Sequence, residues 1–254
     1  MPTTKTTNHA KVPMDKTRKL ALLAGVLYLV TFVGSIPALP LYHNLLHNPN
    51  YLLGGSSDTG VLWGAVGEVI CALAGIGTAI ALYPVAKRHS QTAALGFVTS
   101  RVIEAAMIMV GVISVLSLVT LHKGGAPGGD ATSMVTTGRA LVALHDWTFL
   151  FGPGVMPAIN ALLIGTVMYR TGLVPRILPT IGLIGAPLLL ASDAATLFGA
   201  WAQVSSPATL LAFPIAAWEF SFGVWMTFRG FNPSAVADLP AVTTAPSAPI
   251  AVAA

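Results

Sequence analysis

Six apolar runs, each long enough to cross a hydrocarbon core of about 30 Å, dominate this sequence. They fall near Leu20–Leu41, Val61–Pro84, Ala93–Leu121, Ala140–Tyr169, Ile177–Trp201 and Ala208–Phe228. With no water inside a bilayer, such segments satisfy their backbone polar groups internally, as helices. The reading is an all-α fold: a polytopic membrane bundle of six transmembrane helices. Charged residues make up only 9% of the chain, against roughly a quarter in a soluble domain. That is too few to coat a water-exposed surface. The first run follows a basic start, as a signal peptide would, but it is longer than a typical signal core and lacks a small-x-small cleavage site. It reads as a retained helix. The one cysteine, Cys71, lies inside an apolar run, so no intrachain disulfide or thiolate cluster is available.

Orientation follows from the cationic residues. Lys5, Lys11, Lys16, Arg18 and Lys19 precede the first run, and Lys87 and Arg88 lie in the second connection. Arg170 and Arg176 lie in the fourth, and Arg229 follows the last run. The first and fifth connections carry no Lys or Arg, and the third carries Lys123 and Arg139. The positive-inside rule then puts both termini in the cytoplasm, for a multi-pass protein of the inner (cytoplasmic) membrane. Five or seven helices would break the alternation. Three parts are expected: a disordered cytoplasmic start over 1–15, a transmembrane domain over 16–233, and a disordered cytoplasmic tail over 234–254. The tail is built of Ala, Pro, Val, Ser and Thr. The glycine-rich stretch Lys123–Asp130 reads as a flexible extracytoplasmic loop. The lipid bilayer is the expected partner, nucleic acid is not, and the sequence leaves the oligomeric state open.

Function is sought among the ionisable residues within the runs: Glu68, Arg101, Glu104, Asp146, Glu219 and, near an outer end, Asp193. Each costs a few kcal/mol or more at mid-membrane and so faces the bundle interior or a wet cavity. Arg101 and Glu104 are three apart and share a helix face. Gly60, Gly64, Glu68, Ala72 and Gly75 form one stripe of the second helix, where small residues mark close packing within the bundle. In the fourth helix, Asp146, Pro153, Pro157 and Asn160 fall along one side. Pro153 and Pro157 each remove a hydrogen bond, so Gly152–Pro153–Gly154 reads as a helix break beside a polar cavity. One arginine cannot neutralise five carboxylates, so some are expected to be protonated and able to carry or donate a proton. The same residues can also hold helices in register.

Other features are weaker. His43 and His47 are spaced by four, but no clear third ligand accompanies them, so no metal is expected. His145 precedes Asp146, but neighbouring side chains on a helix point about 100° apart and need not meet. Trp63 and Trp201 suit the membrane interface. Trp218 lies deeper, beside Glu219, as a candidate aromatic wall for a cation. No Walker loop, dinucleotide fingerprint or nucleophile elbow occurs, and no cofactor is expected.

Several of these segments together resemble a bacterial six-helix membrane family known as domain of unknown function 4386. They are Thr17-Arg18-Lys19, Ser35-Ile36-Pro37-Ala38-Leu39, Asn48-Pro49-Asn50-Tyr51, the Arg101–Glu104 pair and His145-Asp146-Trp147-Thr148-Phe149. Phe151-Gly152-Pro153-Gly154 and Ala217-Trp218-Glu219 complete the set, which spans about Asp15 to Pro233. The resemblance implies a six-helix bundle and supplies no activity. From the residues themselves, the leading expectation is a cavity that binds or transports a small amphipathic or apolar solute, with proton coupling. Its ligand-binding residues are Glu68, Arg101, Glu104, His145, Asp146, Asn160, Trp218 and Glu219. The alternative is an enzyme acting on an isoprenoid-type lipid, with Asp146 and Glu219 as acid and base and Glu68 in reserve. A third is a structural subunit of a membrane complex.

Overall fold

The computed structural model describes residues 15–48, 50–54, 56–124 and 130–240. Among the described residues every regular element is helical: α1 (Lys16–Ser35), α2 (Ala38–His47), α3 (Thr59–Ala86), α4 (Gln91–Gly124) and α5 (Ala131–Phe149) come first. They are followed by α6 (Met156–Asn160), α7 (Thr166–Thr171), α8 (Ile177–Leu197), α9 (Ser206–Phe228) and α10 (Pro233–Ala237). Short turns of other pitch connect some of them. Six spans are long and apolar enough to cross a membrane: Lys16–His47, Thr59–Ala86, Gln91–Gly124, Ala131–Thr171, Ile177–Leu197 and Ser206–Phe228. Val33, Leu73, Ile80, Leu210 and Phe213 are all well exposed on the outside of the bundle. So much outward apolar surface suits lipid and not water.

The spans depart from the sequence reading at identifiable residues. The first is bent, because Pro37 at the start of α2 has no N–H to continue the α1 ladder. The fourth begins at Ala131, not Ala140, because the Asp130 side chain accepts from Thr132 N at 3.0 Å and caps the helix. The fifth stops at Leu197, short of Trp201, and Gly199 turns the chain with φ 77°. Gly152–Pro153–Gly154 is not a break. It sits in a π turn, Leu150–Val155, and a second wide turn spans Ala161–Gly165, so the span runs on as one distorted helix.

Close glycine contacts set the helix spacing. A Cβ on Gly34 of α1 would lie 2.5 Å from the Gly67 carbonyl oxygen of α3, and one on Gly67 the same distance from the Gly34 oxygen. Helices α1 and α9 cross at Gly25 and Gly223, where Thr227 leaves no room for a side chain on Gly25. At that end of the bundle Tyr28, Leu82, Phe97, Met168, Trp218, Phe222 and Met226 form a fully buried core.

The same end gathers the basic connections. Arg18 donates to the Met226 and Thr227 carbonyls at 3.0 and 2.6 Å, capping the C-terminus of α9. Arg88 donates to the carbonyls of Val236, Leu239 and Pro240. The expected boundary of a disordered tail at 234 is therefore corrected. Asn232 caps α10, accepting from Ser234 N at 3.3 Å, and Ala235 and Leu239 are buried on the core. Expectations for 1–14, 125–129 and 241–254 lie outside the described residues.

At the opposite end, Tyr51 Oη donates to Asp58 Oδ1 at 2.5 Å, and His122 Nδ1 lies 2.8 Å from the same oxygen. His122 Nε2 is 2.6 Å from the Gly54 carbonyl, so both ring nitrogens face acceptors. Burial pushes the Asp58 carboxyl up, but the bonds from Tyr51 and His122 outweigh it and hold the group below its ordinary value. A depressed carboxyl contributes stability that is complete above its unfolded value near pH 4 and is lost as pH falls through the lower folded value. Acidification below about pH 4 is expected to reduce the hydrogen-exchange protection of Tyr51–Gly54, and Asp58→Asn to reduce it already at neutral pH. Protection that holds in both cases would argue against this tie.

Candidate functional site

Between the spans lies a cavity of about 960 Å³. Its mouth is framed by His43 and His47 of α2 and by Trp201 and Gln203 after α8, so it opens at the end away from the basic connections. Its walls are largely apolar, among them Phe32, Ala72, Ile108, Phe149 and Ile215. Its floor is polar: Glu68 from α3, Arg101 and Glu104 from α4, and Glu219 from α9. Below that floor sits the packed core of the basic end.

The floor is organised by Arg101, which is 3% exposed. Its Nη1 donates to both Glu104 oxygens, at 3.2 and 3.0 Å, and its Nη2 donates to Glu219 Oε1 at 2.6 Å. The guanidinium carbon also lies 5.1 Å from the Tyr28 ring centre and 5.7 Å from that of Phe97, within range of a cation–π attraction. From the fourth span, Asn160 Nδ2 donates to Glu104 Oε2 at 2.7 Å. The i,i+3 spacing of Arg101 and Glu104 thus makes the expected pair and extends it to two other spans. Charge-assisted contacts of this kind are the strong ones.

Glu68 stands apart from that network. Its hydrogen-bond partner among the described residues is the neutral hydroxyl of Tyr42, at 2.9 Å. Aromatic rings crowd this corner: Tyr42 meets His145 edge-on at 5.9 Å, and His145 stacks on Phe149 at 6.0 Å. The small-residue stripe of α3 divides here. Gly64 lies under the Tyr42 ring, where a Cβ would come within 2.6 Å, whereas Gly75 borders the cavity with nothing within 4 Å of a Cβ.

Other residues named from the sequence fall elsewhere. Asp146 lines the cavity wall with its side chain 61% exposed, and its Oδ1 meets His145 Nδ1 at 3.2 Å, so these neighbours do touch. Asp146 and Glu219, the suggested acid and base, have different partners and form no hydrogen bond with each other among the described residues. Asn160 does not line the cavity with Asp146, although an unbroken α-helix would put them on one side. A π turn takes in about one extra residue, which rotates everything beyond it by roughly 100°. That rotation turns Asn160 onto Glu104. Trp218 is fully buried, and a Cβ on Gly182 would lie 2.5 Å from its ring; it packs α8 against α9 instead of facing the cavity. The cavity's aromatic groups are Phe32, Tyr42, Trp147, Phe149 and Trp201.

Asp193 is closed off from solvent. It is 7% exposed against Gly154, and its Oδ2 has no hydrogen-bond partner among the described residues. At the mouth, the His43 and His47 rings stack at 4.5 Å. Among the described residues no group of three or more His, Cys, Asp or Glu side chains is placed to hold a metal.

Sequence reasoning missed Tyr42 and Gly75 as site residues. Gly75 stood in the α3 stripe and was read as packing. Tyr42 became a partner of Glu68 through the bend at Pro37, which has no periodic signature in the sequence.

No curated protein and no solved structure matches the chain. The model of one family, described as Domain of unknown function (DUF4386), matches residues 23–230. That stretch holds every residue of the cavity floor, and over it the chain belongs to the DUF4386 family.

Proposed function

We propose that this protein binds a small amphipathic solute in its cavity, the polar head on the acidic floor and the apolar part along the walls. The observation that carries the reading is the cavity itself: about 960 Å³, largely apolar-walled, with Arg101 and three carboxyl groups gathered on its floor. Ligand pockets commonly measure some 300–1,000 Å³ and are mainly apolar with a few convergent polar groups. The distribution of Lys and Arg supports a mouth on the extracytoplasmic side of a bacterial inner membrane, with both termini in the cytoplasm. Proton-linked transport is the fuller form of the proposal. Acid–base turnover draws less support, because Glu219 is engaged by Arg101 and Asp146 stands apart from it. A purely structural role accounts for Arg101, Glu104 and Asn160, but not for Glu68 or the void beside it.

Gly75→Phe tests the reading. A side chain there meets open space, so folding and thermal stability are expected to stay close to wild type while the cavity is plugged. Wild-type protein in nanodiscs, analysed by native mass spectrometry, is expected to retain a co-purifying small molecule that Gly75→Phe lacks. Equal retention by the two proteins would sink the proposal.

A further inference from the structure

We infer that Glu68 is the binding point for the positively charged head of an amphipathic cation, taken up in exchange for a proton. This rests on the binding reading above and names its ligand class. The first observation is an imbalance on the floor: three carboxyl groups, Glu68, Glu104 and Glu219, face one guanidinium. Arg101 spends its contacts on two of them, and Asn160 adds a third donor to Glu104. Among the described residues Glu68 pairs with no Lys or Arg, and its hydrogen-bond partner is the Tyr42 hydroxyl. It also shares its corner of the cavity with Tyr42, His145 and Phe149.

The second observation is the surroundings. A carboxylate beside aromatic rings suits a quaternary or protonated amine, which gains from both the charge and the ring quadrupoles. An anionic head would meet a floor of three carboxyl groups whose one guanidinium already donates to Glu104 and Glu219. An uncharged head would leave the excess acid unanswered. The other titratable groups facing Glu68 fit this account. Tyr42 from α2 donates to it, Cys71 lies one turn along α3, and His145 and Asp146 approach from α5. Arg101, Glu104 and Glu219 lie across the floor, with Tyr28 behind them.

The exchange balances without redox chemistry. In this exchange Glu68 holds a proton while the cavity is empty, because among the described residues no Lys or Arg pairs with it. When the cation arrives, the carboxyl O–H bond breaks and the proton leaves through the open mouth toward water. An ion pair forms in its place, and the charge of the site is unchanged.

Decyltrimethylammonium and its uncharged isostere, with carbon in place of the ammonium nitrogen, make the probe pair. Each is titrated calorimetrically into full-length protein in zwitterionic nanodiscs, in two buffers of different ionisation heat, with empty nanodiscs subtracted. The cation is expected to bind roughly tenfold or more tightly than the isostere and to release close to one proton per molecule bound. Glu68→Gln is expected to lose that preference and the proton release, while Glu68→Asp keeps both. Equal binding of the two probes by wild type, or cation binding without proton release, overturns the inference and leaves the cavity reading standing. Should Glu68→Gln fail to fold, the wild-type proton count decides alone. If neither probe binds wild type, and Gly75→Phe retains the same small molecule as wild type, both readings fall.

Discussion

Arg101→Met is expected to prevent stable folding, with a loss of about 3–5 kcal/mol, the usual cost of removing one partner from a buried ion pair. The guanidinium donates to Glu104 and Glu219 from α4 and α9, and Asn160 joins from the fourth span, so three spans meet at one charge. Methionine fills much of the volume but leaves two carboxyl groups facing each other without a cation. The expected readout is a sharp fall in monodisperse protein on gel filtration and a large drop in melting temperature. The triple variant Arg101→Met, Glu104→Gln, Glu219→Gln is expected to recover most of the loss, because uncharged amides need no counter-ion. A single variant as stable as wild type would mean the guanidinium does not hold these helices together.

The second large effect is expected at the crossing of α1 and α3. Gly67→Leu places a Cβ 2.5 Å from the Gly34 carbonyl oxygen before the rest of the side chain is counted. The obstacle is backbone, which cannot rotate aside, so the helices must separate. Overpacking costs about 1–3 kcal/mol and occasionally more, and here the displaced span also carries Glu68. Thermal unfolding in detergent is expected to show the loss for Gly67→Leu and, by the reciprocal contact, for Gly34→Leu. The contrast with Gly75, on the same helix but open to the cavity, separates packing from helix propensity. Both substitutions gain helix propensity, so equal loss at positions 67 and 75 would show that the Gly34 contact is not the cause.

What the sequence could reveal follows from what each residue depends on. Spans announce themselves because hydrocarbon thickness sets a length that any apolar run must meet. The Arg101–Glu104 pair was legible because both lie on one helix at a fixed spacing. Glu219 was legible as a costly buried charge but not as the partner of Arg101, since the sequence does not say which helices touch. Trp218 misled because standing next to Glu219 in sequence means pointing elsewhere on a helix. Asn160 misled because a π turn shifts the phase of everything beyond it, and its residues look like any proline-containing helix. Asp193 was undervalued for its place near a predicted helix end, whereas Gly154 opens a recess for its carboxyl.

The helices differ in length. At 1.5 Å per residue, α4 with its 34 residues measures about 51 Å, and α8 with 21 measures about 32 Å. Both begin near the basic end, so the wall around the mouth is uneven: tall where α4 stands, low where α8 stops. On the low side the wall is carried on by the turn after α8, where Trp201, Ala202, Gln203 and Val204 line the cavity.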